Sequence, residues 1–213
     1  MKQFKKILIG LAFILLLAAC SKDNVHQEIK TYLEATVDIE KSFEEYQESI
    51  YELEKQDEEI YNEIIRLGSN EYEEVVSLAK EAVTLLDERH ELVKLEKESL
   101  EASRTEFENI KGLMDKISNE DELEHTEKMY ETMINRYDAY DEVYDKYVTS
   151  IQLTKELYTL LQEENLKENE LYTLISTVNE SYEDVIKANE KFNKETVLYN
   201  QLKQTYYELV SED

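Results

Sequence analysis

Apolar and aromatic residues recur along most of this chain in alternating steps of three and four. In the first run, Ile29, Tyr32, Thr36, Ile39, Phe43, Tyr46, Ile50, Leu53, Asp57, Ile60, Ile64 and Leu67, ten of the 12 positions are apolar or aromatic. A second run goes from Tyr72 through Leu86, Val93, Leu100 and Phe107 to Ile117. A third goes from Leu123 through Tyr137, Tyr144 and Ile151 to Leu161, and a fourth from Leu171 through Val185, Phe192 and Tyr199 to Leu209. This step places one stripe on one face of an α-helix, with a slow left-handed drift. The stripes restart after Gly68-Ser69-Asn70, after Ser118-Asn119-Glu120-Asp121 and after Glu163-Glu164-Asn165, which are helix-ending and capping residues. Helices are therefore predicted over 28–67, 71–117, 121–162 and 167–210.

Helices of this length reach roughly 60–70 Å at 1.5 Å per residue, and short turns between them make neighbours antiparallel. Leu78, Leu85, Leu92, Ile134, Val148, Ile175 and Ile186 widen the stripes beyond what a two-stranded coiled coil buries. The expected fold is all-α, an elongated up-and-down four-helix bundle. A three-helix arrangement with one extended helix is the alternative.

The first 20 residues follow a different pattern. Lys2, Lys5 and Lys6 precede an apolar run from Ile7 to Leu17, which leads into Leu17-Ala18-Ala19-Cys20. A basic start, a short apolar core and small residues before the cut describe a secretory signal. The 13 residues from Ile7 to Ala19 fall short of the ~20 that span a bilayer. Leu-Ala-Ala-Cys resembles a lipobox, in which the cysteine thiol receives a diacylglycerol and the peptide is cut just before it. Residues 1–19 are thus expected to be a cleaved signal, 20–27 a lipidated cysteine and tether, and 28–213 the bundle. Cys20 is the one cysteine in the chain, so no internal disulfide can form and the bundle depends on packing.

Charge narrows the partners. The chain has 24 basic and 50 acidic side chains; with the three signal lysines removed the balance is −29. Nucleic acid needs a basic footprint, and anionic lipid surfaces attract basic segments, so neither is an expected electrostatic partner. High charge also accompanies disorder, but the strict apolar period argues against it. There is no proline and no tryptophan, and Gly68 and Gly112 are the glycines after residue 19, a helical composition.

Asp57, Arg89, Glu96, Ser103 and Glu195 occupy stripe positions. Buried charges need partners, so these residues either hold register or form a functional polar layer. Counting from the turns puts Arg89 level with Glu48, Ser150 and Glu180, and Arg89, Glu96 and Glu180 form the candidate layer. A di-iron site of the bundle type needs two Glu-x-x-His motifs. Glu122-x-x-His125 matches, but the near match Asp87-x-x-His90 lies about 35 Å away along the axis. Calcium loops and glycine-rich phosphate loops are missing from the sequence. No cofactor, metal or enzymatic activity is expected.

Six of the 16 tyrosines lie on the third stripe between Tyr130 and Tyr158. Tyrosine buries its ring and keeps its hydroxyl at a wet rim, so these residues are core or, alternatively, a binding platform. For a platform, the candidate partner-binding residues are Arg136, Tyr137, Tyr140, Tyr144 and Tyr147, since aromatic and arginine side chains concentrate contact energy.

Several stretches carry a family likeness: Tyr61-Asn62-Glu63-Ile64-Ile65-Arg66-Leu67-Gly68, Asp87-Glu88-Arg89 leading to Glu96-Lys97-Glu98-Ser99 and Ala102-Ser103, Arg136-Tyr137, Ala139-Tyr140, Tyr144, Tyr147, Ser150-Ile151 and Lys155-Glu156-Leu157-Tyr158. On these the sequence resembles the YkyA-like cell-wall-binding lipoproteins of Gram-positive bacteria. The resemblance implies a helical bundle held to the bilayer through acylated Cys20, on the extracytoplasmic side facing the wall, and it implies no catalytic residue. The expected partner is cell-wall glycan. The alternative is a scaffold or adaptor that binds an envelope protein, because polyanionic wall polymers repel a chain of charge −29.

Overall fold

Alternating three-and-four spacing becomes four long helices in the computed structural model, which describes residues 2–67 and 71–211, with side chains from residue 24 onward. Cys20 and the signal lie outside the described side chains, and Gly68-Ser69-Asn70 outside the described residues. Helix α1 spans Lys2–Arg66, α2 Tyr72–Phe107, α4 Glu120–Leu160 and α5 Glu168–Leu209. After α2 the chain tightens into a 3-10 turn, Glu108–Ile110, and one further helical turn, α3, Lys111–Met114. The uninterrupted helix expected over 71–117 is thus broken in its last part. Ile110, Leu113, Met114 and Ile117 nevertheless stay buried.

The expected cap of the third long helix forms. Asn119 accepts hydrogen bonds from the backbone N–H groups of Asp121 at 3.0 Å and Glu122 at 3.3 Å. Glu120, Asp121 and Glu122 fill the first turn, where the helix dipole favours negative charge.

The stripes form the core. On α2, Ala79, Ala82, Leu86, Arg89, Val93, Glu96, Leu100, Ser103 and Phe107 are all buried. Close helix pairs are α1–α2, α2–α4 and α4–α5, an up-and-down order with α4 flanked on both sides. Accordingly α4 buries a second row beside its stripe, including Met129, Arg136, Ala139, Val143 and Leu157. The three-helix alternative is excluded.

Residues 24–27, read from sequence as tether, continue α1. Val25 and His26 are buried. His26 Nδ1 lies 3.0 Å from the Tyr206 hydroxyl and Nε2 3.0 Å from Glu122. A lone histidine before the first stripe gives no sign of this, because both partners come from the far end of the chain.

Candidate binding groove

Helices α1 and α5 are not a close pair, and the seam between them decides where the bundle is open. Near its base the seam is shut by His26 against Tyr206 and by Phe43 against Phe192, ring centroids 6.2 Å apart. Above Phe43, α1 turns polar residues toward the seam: Gln47, Glu54, Asp57 and Glu58. Asn179, Tyr182 and Asn189 face them from α5. Such side chains cannot close a dry interface without losing hydrogen bonds to water. The seam therefore holds two cavities, about 260 Å³ and 280 Å³, both bordered by Glu54. Tyr51 and Tyr61 stand at the α1 rim, 62% and 39% exposed.

The lower cavity lies over the tyrosines of α4. Tyr144 and Tyr147 line it half-buried, and the Tyr147 hydroxyl donates to Glu54. Tyr140 is buried against Phe43 and Phe192, each ring centroid 5.5 Å away, and hydrogen-bonds Glu96. Burial raises the phenol pKa of both Tyr140 and Tyr147. Burial also pushes the Glu96 carboxyl up to about 7; Glu54 adds to the rise, while hydrogen bonds from Tyr140 and Gln47 oppose it.

This shift sets a pH dependence. Between about pH 4.5 and 7 folded Glu96 keeps a proton that the unfolded chain releases, so this group's contribution falls as pH rises through that window. Above pH 7 the cost of holding the charge is on the order of 3 kcal/mol. Glu96→Gln is expected to be more stable than the parent by roughly 3 kcal/mol at pH 8 and by less than about 1 kcal/mol at pH 5. Denaturant titrations at both pH values check this, and a difference that does not change with pH would refute it.

The upper cavity is built around Arg89. Arg89 Nη1 is 3.5 Å from Asp57 and Nη2 is 3.2 Å from the Tyr182 hydroxyl, with the guanidinium 5.6 Å from the Tyr147 ring centroid. Tyr158 donates to the other Asp57 oxygen at 2.7 Å. Burial raises the Asp57 pKa, against the opposing effects of Tyr158 and Arg89.

Several sequence expectations are corrected here. Glu180 is exposed and bonds Ser176 on its own helix; Glu48 is also exposed. The level count failed because helical side chains lean toward their own N-terminus. On antiparallel α1 and α2, Asp57 and Arg89 lean toward each other from different levels.

Arg136, Tyr137 and Tyr140 are core residues and cannot form a surface platform. Arg136 donates to both Glu40 oxygens at 2.8 and 3.0 Å and through Nε to Thr196 at 3.0 Å. The Tyr137 hydroxyl is 2.7 Å from Ser103. The sequence reading missed Tyr182, Glu54, Tyr51 and Tyr61, which lie off the stripes. The signal that could have found them is Asp57 and Ser181, two polar interruptions on the stripes of helices that face each other.

The family described as "Putative cell-wall binding lipoprotein", YkyA, matches residues 24–209. This chain belongs to the YkyA family. A YkyA relative from Bacillus subtilis, named an uncharacterized lipoprotein, is 31% identical over 197 residues, covering 92% of this chain and 88% of the relative. A crystal structure of a conserved protein of unknown function from Staphylococcus aureus superposes with a TM-score of 0.75. It covers 87% of this chain and 95% of its own at 16% identity, a likeness of fold. The Arg89 layer and its open seam therefore sit inside the part of the chain that defines the YkyA match.

Proposed function

We propose that this YkyA protein is an exported lipoprotein, acylated at Cys20 and standing on the outer face of the cytoplasmic membrane. There it binds wall material through the α1–α5 groove without catalysing a reaction. The observation that carries this reading is the Lys-rich and apolar N-terminus ending in Leu17-Ala18-Ala19-Cys20, just ahead of the buried Val25. Among the described residues no helix is long and apolar enough to cross a membrane. An acyl chain on Cys20 would hold the His26 end of the rod at the bilayer. The Asp57–Arg89 layer would then sit roughly 50 Å further out at 1.5 Å per residue. The groove offers aromatic rims at Tyr51 and Tyr61, and among the described residues no histidine, cysteine or serine lines either cavity.

A second reading, an adaptor for an envelope protein, is favoured by the charge of −29 beyond residue 19, which opposes polyanionic wall polymers. Two measurements test the proposal. Cys20→Ala is expected to shift the protein from the membrane fraction to the medium, or to leave it as uncleaved precursor; a cleaved Cys20→Ala chain that stays on membranes removes the lipoprotein reading. The parent is expected to be retained on purified peptidoglycan stripped of anionic polymers. If it is not, with or without divalent cations, the adaptor reading replaces wall binding.

A further inference from the structure

The bundle contains two buried arginines, and they are satisfied very differently. Arg136 forms a bidentate pair with Glu40, and its Nε has Thr196. Arg89 is more deeply buried, at 2% exposure against 5%. Its carboxylate contact is one loose approach of 3.5 Å, and its Nε has no hydrogen-bond partner among the described residues. A guanidinium presents five N–H donors in a fixed fork, and a buried donor without an acceptor is unusual enough to need an explanation. Arg89 also lines the 280 Å³ cavity that opens through the α1–α5 seam. Arg136 lines neither seam cavity.

The rest of that cavity selects the acceptor. Leu157, Ile175 and Val178 form an apolar wall. Glu54, Asp57 and Glu58 outnumber the single arginine, and Glu58 is exposed at the mouth. A ligand that is simply anionic would satisfy Arg89 but be repelled by three carboxylates. A neutral sugar would leave the acidic rim without a partner. A molecule with both an acceptor oxygen and an ammonium group answers both halves of the site.

We propose that the Arg89 cavity binds an amine-bearing short peptide or amino acid. Its carbonyl or carboxylate oxygen accepts from the Arg89 guanidinium, its ammonium faces Glu54 and Glu58, and its aliphatic part lies on Leu157 and Val178. This rests on reading the α1–α5 groove as a binding surface and names the chemistry that its upper half takes.

The test is calorimetric titration of the full chain in detergent with the dipeptide Lys-Ala. Its analogue acetylated on both amines and an N-acetylglucosamine tetramer serve as the other arms. Saturable Lys-Ala binding is expected, weakened at least tenfold by acetylation. Glu58→Gln, a change at an exposed position, is expected to weaken it two- to fivefold, as suits a solvent-screened charge. Arg89→Lys keeps the charge but removes the guanidinium fork, and is expected to weaken binding at least tenfold in a chain whose circular dichroism stays native. If Arg89→Lys does not fold, acetylation and Glu58→Gln decide. No saturable dipeptide binding, binding of the sugar tetramer in its place, or an affinity indifferent to both acetylation and Glu58→Gln overturns the proposal. Retention on peptidoglycan, measured in parallel, separates the two readings. Retention without dipeptide binding sinks this site alone, whereas dipeptide binding without retention sinks wall binding and leaves the site.

Discussion

Replacing Phe107 with alanine is expected to lower the stability of the bundle by about 3–5 kcal/mol, the range for deleting a large buried aromatic ring. Phe107 is fully buried at the end of α2, where the helix tightens into its 3-10 turn. Its ring stacks on Tyr130 at 5.5 Å and meets the edges of Tyr137 and Tyr199 at 6.3 and 6.0 Å. The ring thus joins α2, α4 and α5 at one point. Tyr137 is held by its hydrogen bond to Ser103 and cannot swing into the space, so much of the cavity should persist. In a chain of this size 1 kcal/mol shifts the midpoint by roughly 2–4 °C, so a fall of about 6–20 °C is expected in thermal melts. Tyr51→Ala, at the exposed groove rim, is the control and should change stability by less than about 0.5 kcal/mol. A Phe107→Ala protein as stable as the control would show that this aromatic cluster is not core.

What was legible beforehand follows from which physical quantity a linear sequence encodes. Period encodes which face of a helix is buried, and the α2 stripe came out buried from Ala79 to Ile117, its charged members included. Caps are local, and Asn119 behaved as its sequence context required. The order of helices around the bundle axis is not local. Nothing in the α4 segment announces that α2 and α5 flank it, so its second buried row, with Thr132 and Arg136, could not be separated from a solvated face. For the same reason, the tyrosines split between core and groove only once the neighbours were placed. Tyr137 faces a closed seam, Tyr140 lies buried at the floor of the lower cavity, and Tyr144 and Tyr147 reach the open seam.

The site was partly legible. Asp57, Arg89 and Glu96 stood out as charges on apolar stripes, and all three are buried at or beside the groove. Their neutral partners did not stand out, because such a partner need only reach the layer, not belong to a stripe. Tyr182, which accepts from Arg89, sits next to Ser181, and Glu54, whose charge acts on Glu96, sits next to Leu53. A charge on a stripe therefore marks a polar layer: its counter-charge can be another stripe residue, as Asp57 is for Arg89, while the neutral groups that complete the layer, such as Tyr182, lie off the stripes.

Glu40 provides the second large effect. Its carboxylate takes both Arg136 N–H bonds and accepts from Ser103 at 2.8 Å, and Ser103 in turn lies 2.7 Å from the Tyr137 hydroxyl. With Thr196 on the Arg136 Nε, this network ties α1, α2, α4 and α5 together at one level. The two side chains are 19% and 6% exposed, too dry for water to replace the lost partner fully. Glu40→Ala should therefore cost about 3–5 kcal/mol, the usual consequence of leaving a buried charge alone. Removing both ends tells a different story. In Glu40→Ala/Arg136→Met the stranded charge is gone, and methionine can pack beside Phe192, whose ring centroid lies 5.0 Å from the guanidinium. The double variant should regain most of the loss and be more stable than Glu40→Ala by at least about 2 kcal/mol. Urea titrations of the four members of this cycle measure the coupling directly. If the two single losses simply add, Arg136 does not depend on Glu40, and the network is a set of independent contacts rather than a clamp across the bundle.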